Sequence, residues 1–396
     1  MTESAGFLAY GRHSIDQDDV AAVIAVLQSD WLTSGPQVEI FEQAFCTATG
    51  ASDAVACNSG TAALHLAALA LKLGPGDAAV VPTMTFLATA NVIRMTGAEV
   101  VFADVDPDTG LMTPATLLDA VERAKNKGLT PKTAWPVHLN GQVCDMAALA
   151  ATARPAGLNL VEDACHALGV PMVGSNEHSV LACFSTHPVK AIATGEGGLV
   201  TTRDEQLAQR MRELRTHGMV RAPDRFLDRG LGYDRDAPNP WYYEMHEVGW
   251  NYRIPDLLCA LGTNQLRKLP GFYRRRQDIA AHYDRLLAPL APAIRPVPHG
   301  IRPHGWHLYA LLVDFAALGM SRRTFMNALR EREIGTQVHY IPVHRQPYYR
   351  ARYGELALSG ADAYYARCLS IPLFPAMTNG DATRVAAVIA DVVRAP

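Results

Sequence analysis

The chain has 396 residues, of which 49% are hydrophobic and 19% charged, and its 36 Lys+Arg against 39 Asp+Glu leave a net charge of −3. That length supports one large domain and a smaller one, and the near balance of charge, with no basic tract, argues against nucleic acid as a partner. The seven cysteines (46, 57, 144, 165, 183, 259 and 368) are scattered without a Cys-x-x-Cys pair, which speaks for reduced thiols and against a disulfide framework or a zinc site.

No apolar run reaches membrane-spanning length. The first residues, MTESAGFLAYGRH, lack the basic-then-apolar order of a signal peptide. The expectation is a cytoplasmic protein with no membrane partner.

Along the chain, Ser14 and Gln17 have the spacing of a capping box ahead of an amphipathic helix. Short apolar runs then alternate with helical patterns. Strands are expected at 78–82, 99–105, 133–139, 158–163, 179–185 and 198–202, with helices near 85–96, 114–127 and 145–153 between them. Such alternation predicts a mostly parallel sheet sheathed by helices, and such sheets place their chemistry in loops beyond the strand C-termini. A helical segment at 254–269 leads into a long basic helix from about Phe272. The proline- and glycine-rich stretch 287–305 precedes a smaller αβ unit: a strand at 306–315, a helix at 321–333, a strand at 335–341 and a terminal helix at 381–394. The division is placed at 1–270 and 271–396.

Several signatures are missing: G-x-G-x-x-G, the Walker phosphate loop, H-E-x-x-H and G-x-S-x-G. Three other stretches complement one another. In CNSGTAALHLAAL (57–69) a small-residue turn opens directly into a helix, so Ser59, Gly60 and Thr61 offer amides and hydroxyls at its positive end, suited to a phosphate; an ordinary capped helix reads the same way. In LNLVEDACHALG (158–169) a strand runs into Glu162 and Asp163, with His166 beyond. A carboxylate there can pair with a protonated ring nitrogen, or simply favour a helix start. In FSTHPVKAIATGEGGLV (184–200) Lys190 is the one cation in an apolar stretch, five residues after Ser185. It is either a strand cap with its amine in water or a lysine with a covalent task. All three fit one cofactor, pyridoxal phosphate, which needs a phosphate cradle, a carboxylate for its ring nitrogen and a Schiff-base lysine. The lysine amine can also serve as general base and acid.

With these stretches, SDWLTSGPQVEIFE, PTMTFLATAN, NYRIPDLLCALG and VHYIPVHRQPYY give the chain a resemblance to the StrS/DegT family of nucleotide-sugar aminotransferases over nearly its whole length. The fold implied is α/β, like that of aspartate aminotransferase (fold type I): a large domain with a central, mostly parallel sheet plus a smaller C-terminal α/β domain. Carried over by position, the resemblance makes Lys190 the catalytic lysine and Asp163 the partner of the pyridine nitrogen. Gly60, Thr61 and Ser185 would hold the phosphate. Phe86 would stack on the cofactor ring, and His166 stands where many members have a glutamine near its phenolic oxygen. Asn251 would reach the phosphate from a neighbouring subunit, implying a homodimer with a shared active site. Tyr252, Arg253, His339 and Tyr340 match stretches near the substrates, although for His339 and Tyr340 a packed strand face is the competing reading. No metal is implied.

Within the family, AYGRHSIDQDDV, DVDPDTGLM, PVHLNGQVCDM and NPWYYEMHEVGWNYR resemble the pseudaminic-acid branch. The implied reaction moves the amino group of L-glutamate to the 4-keto carbon of a UDP-linked 2-acetamido-2,6-dideoxy-hexos-4-ulose. The same chemistry on a GDP- or dTDP-linked 4-keto or 3-keto sugar is the alternative, and a non-catalytic cofactor-binding regulator a further one. A lysine at 190, where the sugar-dehydratase branch carries histidine, favours amino transfer. The segment 170–183 is shorter than in relatives, and Thr186 replaces a common phenylalanine.

Overall fold

Seven strands form the central sheet of the computed structural model, which describes residues 6–394. They are β1 (Asp53–Cys57), β2 (Ala78–Pro82), β3 (Glu99–Ala103), β4 (Pro131–Ala134), β5 (Asn159–Asp163), β6 (Leu181–Ser185) and β7 (Gly198–Thr202), in the spatial order β1-β7-β6-β5-β4-β2-β3. Only β7 runs against its neighbours. Helices cover both faces, so the strands are buried throughout and read as continuous apolar runs rather than alternating ones. Helix α3 (Gly60–Ala70) follows β1, and α4 (Leu87–Met95) follows β2. Because β1, β2, β5 and β6 point the same way, the turn before α3, the start of α4, Asp163 and Ser185 gather at one edge. That edge is where an open α/β sheet binds ligands.

A second core surrounds a three-stranded antiparallel sheet whose middle strand is Tyr309–Val313, flanked by Ile294–Pro296 and Cys368–Ile371. Its buried side chains include Ile279, Tyr283, Phe325 and Ile389. One helix, Asp256–Leu287, serves both cores. It continues through Pro270, although that residue donates no backbone hydrogen bond, because Leu266 and Leu269 pack into one core and Ile279 and Tyr283 into the other. The segments expected at 254–269 and from Phe272 are therefore a single element, and a division at residue 270 falls inside it. We propose two packing units joined by this helix.

Two local readings are corrected. Helix α1 (Gln17–Leu27) is capped by Asp16, not Ser14: the Asp16 carboxylate accepts from the amides of Asp18 and Asp19, and Asp19 returns a bond to the Asp16 amide. The carboxylate pair does the work expected of Ser14 and Gln17, shifted two residues along the chain. The stretch 335–341 is no strand. It makes one bridge, Gln337 with Ser370, and then turns into the cleft described below. The strand β1 has no counterpart among the expected elements.

Candidate active site

At the gathered edge lies a cleft of about 630 Å³. Its floor begins at Ser59, which caps α3 by accepting from the amide of Ala62 at 3.1 Å. That leaves the amides of Gly60 and Thr61 among the unpaired donors of a first helical turn. Glycine is required at two places here. A Cβ on Gly60 would stand 2.7 Å from the Ser185 Cβ, and one on Gly198 would stand 2.4 Å from the Ser59 carbonyl oxygen. Close approach of these backbones brings Ser185, Gly60 and Thr61 together as an anion cradle at the positive end of a helix.

Opposite the cradle, β5 delivers two adjacent carboxylates to opposite sides. Glu162 turns away and binds His138 Nε2 at 2.9 Å and Ser179 Oγ at 2.5 Å. The Cys144 amide donates to His138 Nδ1, so the imidazole proton sits on Nε2 and is donated to Glu162. Asp163 turns into the cleft, where it accepts from Thr89 Oγ1 at 2.7 Å and from the Cys165 amide at 3.2 Å. It is only 5% exposed, and both partners are neutral. A buried carboxylate without a cation is costly. The site is thus built for a cationic ligand group beside Asp163.

Lys190 lines the same cleft, and among the described residues its amine has no hydrogen-bond or ion-pair partner. Burial pushes its pKa below the ordinary lysine value, opposed by the Asp163 charge, which makes the amine a better nucleophile at neutral pH. Phe86, at the start of α4, is 56% exposed on the cleft wall, its ring 5.9 Å from that of Tyr340. An aromatic face left open beside an acid and an amine suits a planar ring.

Of the residues expected at the site, Gly60, Thr61, Phe86, Asp163, His166, Ser185, Lys190, His339 and Tyr340 all line this cleft. His166 is buried. Its Nδ1 accepts from the Asn140 amide at 3.3 Å, and its Nε2 lies 3.2 Å from the Tyr340 hydroxyl. His339 binds Ser370 Oγ at 2.9 Å. Burial lowers the His339 pKa to about 3. Asn251, Tyr252 and Arg253 are not brought into it. Asn251 is exposed, and Tyr252 packs against α3 with its hydroxyl 3.0 Å from His65 Nδ1. Arg253 lies in a separate groove with Arg212, Arg215, Arg221 and Glu42.

Residues the sequence reading passed over also reach the cleft: Tyr10, Thr89 and His307. Thr89 was detectable in principle, since it stands three residues after Phe86 on the opening turn of α4. Tyr10 and His307 carry no such local signal.

The fold and cleft define a coenzyme-dependent enzyme of the large α/β aminotransferase type. Residues 13–390 match the model of the DegT/DnrJ/EryC1/StrS aminotransferase family, and the chain belongs to that family. It is a pyridoxal-phosphate-dependent aminotransferase. It is 40% identical over 398 residues to the spore coat polysaccharide biosynthesis protein SpsC of Bacillus subtilis (strain 168), covering 98% of this chain and 97% of that one. Helicobacter pylori PseC, an aminotransferase involved in the biosynthesis of pseudaminic acid, superposes with a TM-score of 0.86 at 26% identity, over 98% of this chain and 99% of that one. Spr1654 of Streptococcus pneumoniae in its PMP form gives 0.86 at 26% identity, again over 98% and 99%.

The cleft fits the coenzyme on its own geometry. Gly60, Thr61 and Ser185 would hold the phosphate, Asp163 the ring nitrogen and Phe86 the ring face, with Lys190 as the covalent anchor. When bound, the coenzyme supplies the electron sink through which an amino group is exchanged. The chain's own residues do the rest. Asp163 would hold a proton on the ring nitrogen by charge pairing, and the Lys190 amine would serve as the base and acid that moves a proton between two carbons.

Proposed function

We propose that this enzyme moves the amino group of L-glutamate to the 4-keto carbon of a UDP-linked 2-acetamido-2,6-dideoxy-hexos-4-ulose, giving UDP-4-amino-4,6-dideoxy-N-acetyl-beta-L-altrosamine in the pseudaminic-acid pathway. The observation that carries this reading is the cleft, with its uncompensated Asp163 and unpartnered Lys190. Its support is the full-length likeness to PseC. The relationship to SpsC, a polysaccharide biosynthesis protein, favours as the second reading the same transfer to another nucleotide sugar, GDP- or dTDP-linked. A panel of UDP-, GDP- and dTDP-ketosugars with glutamate, read by mass spectrometry, tests it. Amination of the UDP-4-keto sugar at rates at least tenfold above the others supports the proposal, and preference for another nucleotide replaces it.

The same reading makes the working form a homodimer in the cytoplasm. Asn251 and Arg253 lie outside their own chain's cleft, and the neighbouring excursion exposes Leu227, Trp241 and Val248 at 70% or more. Large apolar side chains exposed to this degree suit an interface with a second copy of the chain. No helix of the described residues is long and apolar enough to cross a membrane. If Asn251 serves the other subunit's site, a mixture of inactive Lys190→Ala and Asn251→Ala proteins regains activity after subunit exchange, because one hybrid site holds both native residues. No recovery after verified exchange counts against the shared site.

A further inference from the structure

The cleft contains a chain of hydrogen bonds whose direction is fixed by one backbone amide. Asn140 N–H donates to His166 Nδ1 at 3.3 Å. A neutral imidazole has one N–H and one bare nitrogen, so the His166 proton resides on Nε2. That nitrogen lies 3.2 Å from the Tyr340 hydroxyl, and with its proton in place it donates to the Tyr340 oxygen. The Tyr340 proton cannot point back at His166. It is left for an acceptor in the cleft, which Tyr340 lines together with Lys190 and Asp163.

The surroundings hold this arrangement. Burial, helped by the Lys190 charge, keeps His166 well below the ordinary histidine pKa and therefore neutral. Burial also raises the Tyr340 pKa, so the hydroxyl keeps its proton. One face of His166 is covered by His307, ring centroids 4.2 Å apart. The backbone carbonyl of His307 is gripped by Arg276, a guanidinium only 3% exposed that also donates to the carbonyls of Trp306 and Leu373. The imidazole is therefore backed on one face by a held ring as well as pinned at Nδ1. Asn140 is itself anchored, with its Nδ2 donating to the buried Tyr364 hydroxyl at 2.8 Å.

We propose that Asn140, His166 and Tyr340 form a one-way donor relay that presents the Tyr340 hydroxyl proton to an electron-rich oxygen bound beside Lys190. Tyr340 is the contacting residue; His166 and Asn140 are positioning residues. The proposal rests on the aminotransferase reading, which offers two such oxygens: the phenolic oxygen of the coenzyme and the carbonyl oxygen of the ketosugar. Chains of hydrogen bonds polarise one another, so a tyrosine that is itself accepting is a stronger donor than an isolated one.

The test uses the coenzyme-loaded protein and its Tyr340→Phe, His166→Phe, His166→Gln and His166→Phe/Tyr340→Phe variants, each checked for folding by its thermal midpoint. If the acceptor is the phenolic oxygen, Tyr340→Phe shifts the absorbance maximum and the spectral pH midpoint of the resting coenzyme, with no substrate present. If it is the ketosugar oxygen, the resting spectrum stays put. In that case the half-reaction with ketosugar slows by about 10- to 100-fold, the size of a hydrogen bond to a charged group, while the glutamate half-reaction is unchanged. In either case His166→Phe reproduces the effect in the same direction and His166→Gln, which keeps an acceptor and a donor, restores it. The double variant is then no worse than Tyr340→Phe alone, as expected for residues acting in series. Effects that multiply in the double variant, or a Tyr340→Phe protein unchanged in both spectrum and half-reactions, would overturn the relay. A protein that takes up no coenzyme would instead overturn the functional reading on which the relay stands.

Discussion

The cleft and the arginine-lined groove handle charge in opposite ways. In the groove, Arg212 is neutralised by Asp53 and Glu42, and Arg215 by Glu42, a network that ties the helix Gln37–Thr49 and β1 to the end of the helix Glu205–Leu214. Among the described residues, Arg221 and Arg253 are the two arginines there without a carboxylate partner. In the cleft, the two central charges, Asp163 and Lys190, are both without a salt bridge among the described residues. Paired charges on a surface contribute modestly to stability, whereas unpaired buried ones destabilise the empty protein and strengthen binding of whatever pairs them. The comparison teaches that the cleft leaves its central charges open to a ligand, while the groove uses most of its charges to hold elements together and leaves two cations at its rim.

Substitutions can break or sharpen that contrast. The largest effect is expected from Lys190→Ala: no covalent trapping of coenzyme by borohydride, seen by mass spectrometry of the intact chain, and no turnover. Asp163→Ala follows, with a loss of about 10²- to 10³-fold in kcat/KM, the size of a broken buried charge pair. Its stability without coenzyme should rise or hold, since an uncompensated carboxylate is removed. A fall in stability of the coenzyme-free variant would show that Asp163 is instead a structural anchor for α4 through Thr89. For the groove, Arg253→Ala should raise KM for the sugar nucleotide by about tenfold and leave the resting coenzyme spectrum unchanged; a changed spectrum would merge the two regions.

A smaller effect concerns pH. The Lys190 pKa is depressed in the folded, coenzyme-free protein, so the unfolded chain binds more protons between the two values and stability rises with pH across that window. Coenzyme uptake, followed by absorbance, should accordingly reach half its maximal rate below the ordinary lysine pKa, and an ordinary midpoint would refute the burial argument. The smallest effect is Asp16→Ala, which removes the α1 cap. It should cost about 1 kcal/mol, lower the thermal midpoint by a few degrees, and leave kcat untouched.

How far this could be read without coordinates depends on the element. Strands β2 and β7 are found where their apolar runs end, because a strand buried on both faces writes its length into the sequence. The short, alanine-rich β1 writes almost nothing. Residues 335–341, with valine, histidine and tyrosine, have the composition of a strand but only Ser370 to pair with, and pairing, not propensity, makes a strand. Lys190 and Asp163 were legible as charges in apolar surroundings beside small-residue turns. The Asn140–His166 link was not, since a backbone amide has no side-chain signature and its partner lies 26 residues away.

By itself, then, the amino-acid order determined the alternation of strand and helix, the cradle at Gly60, and the acid and amine of the site, because each follows from periodicity or from a charge that local burial makes conspicuous. Folding in three dimensions alone decided that Glu162 turns away to His138 and Ser179, which nitrogen of His166 carries the proton, and that Tyr252 and Arg253 lie outside their own chain's site. Those outcomes depend on contacts between residues far apart in the chain, and the directions of hydrogen bonds are set only when both partners have been brought within reach.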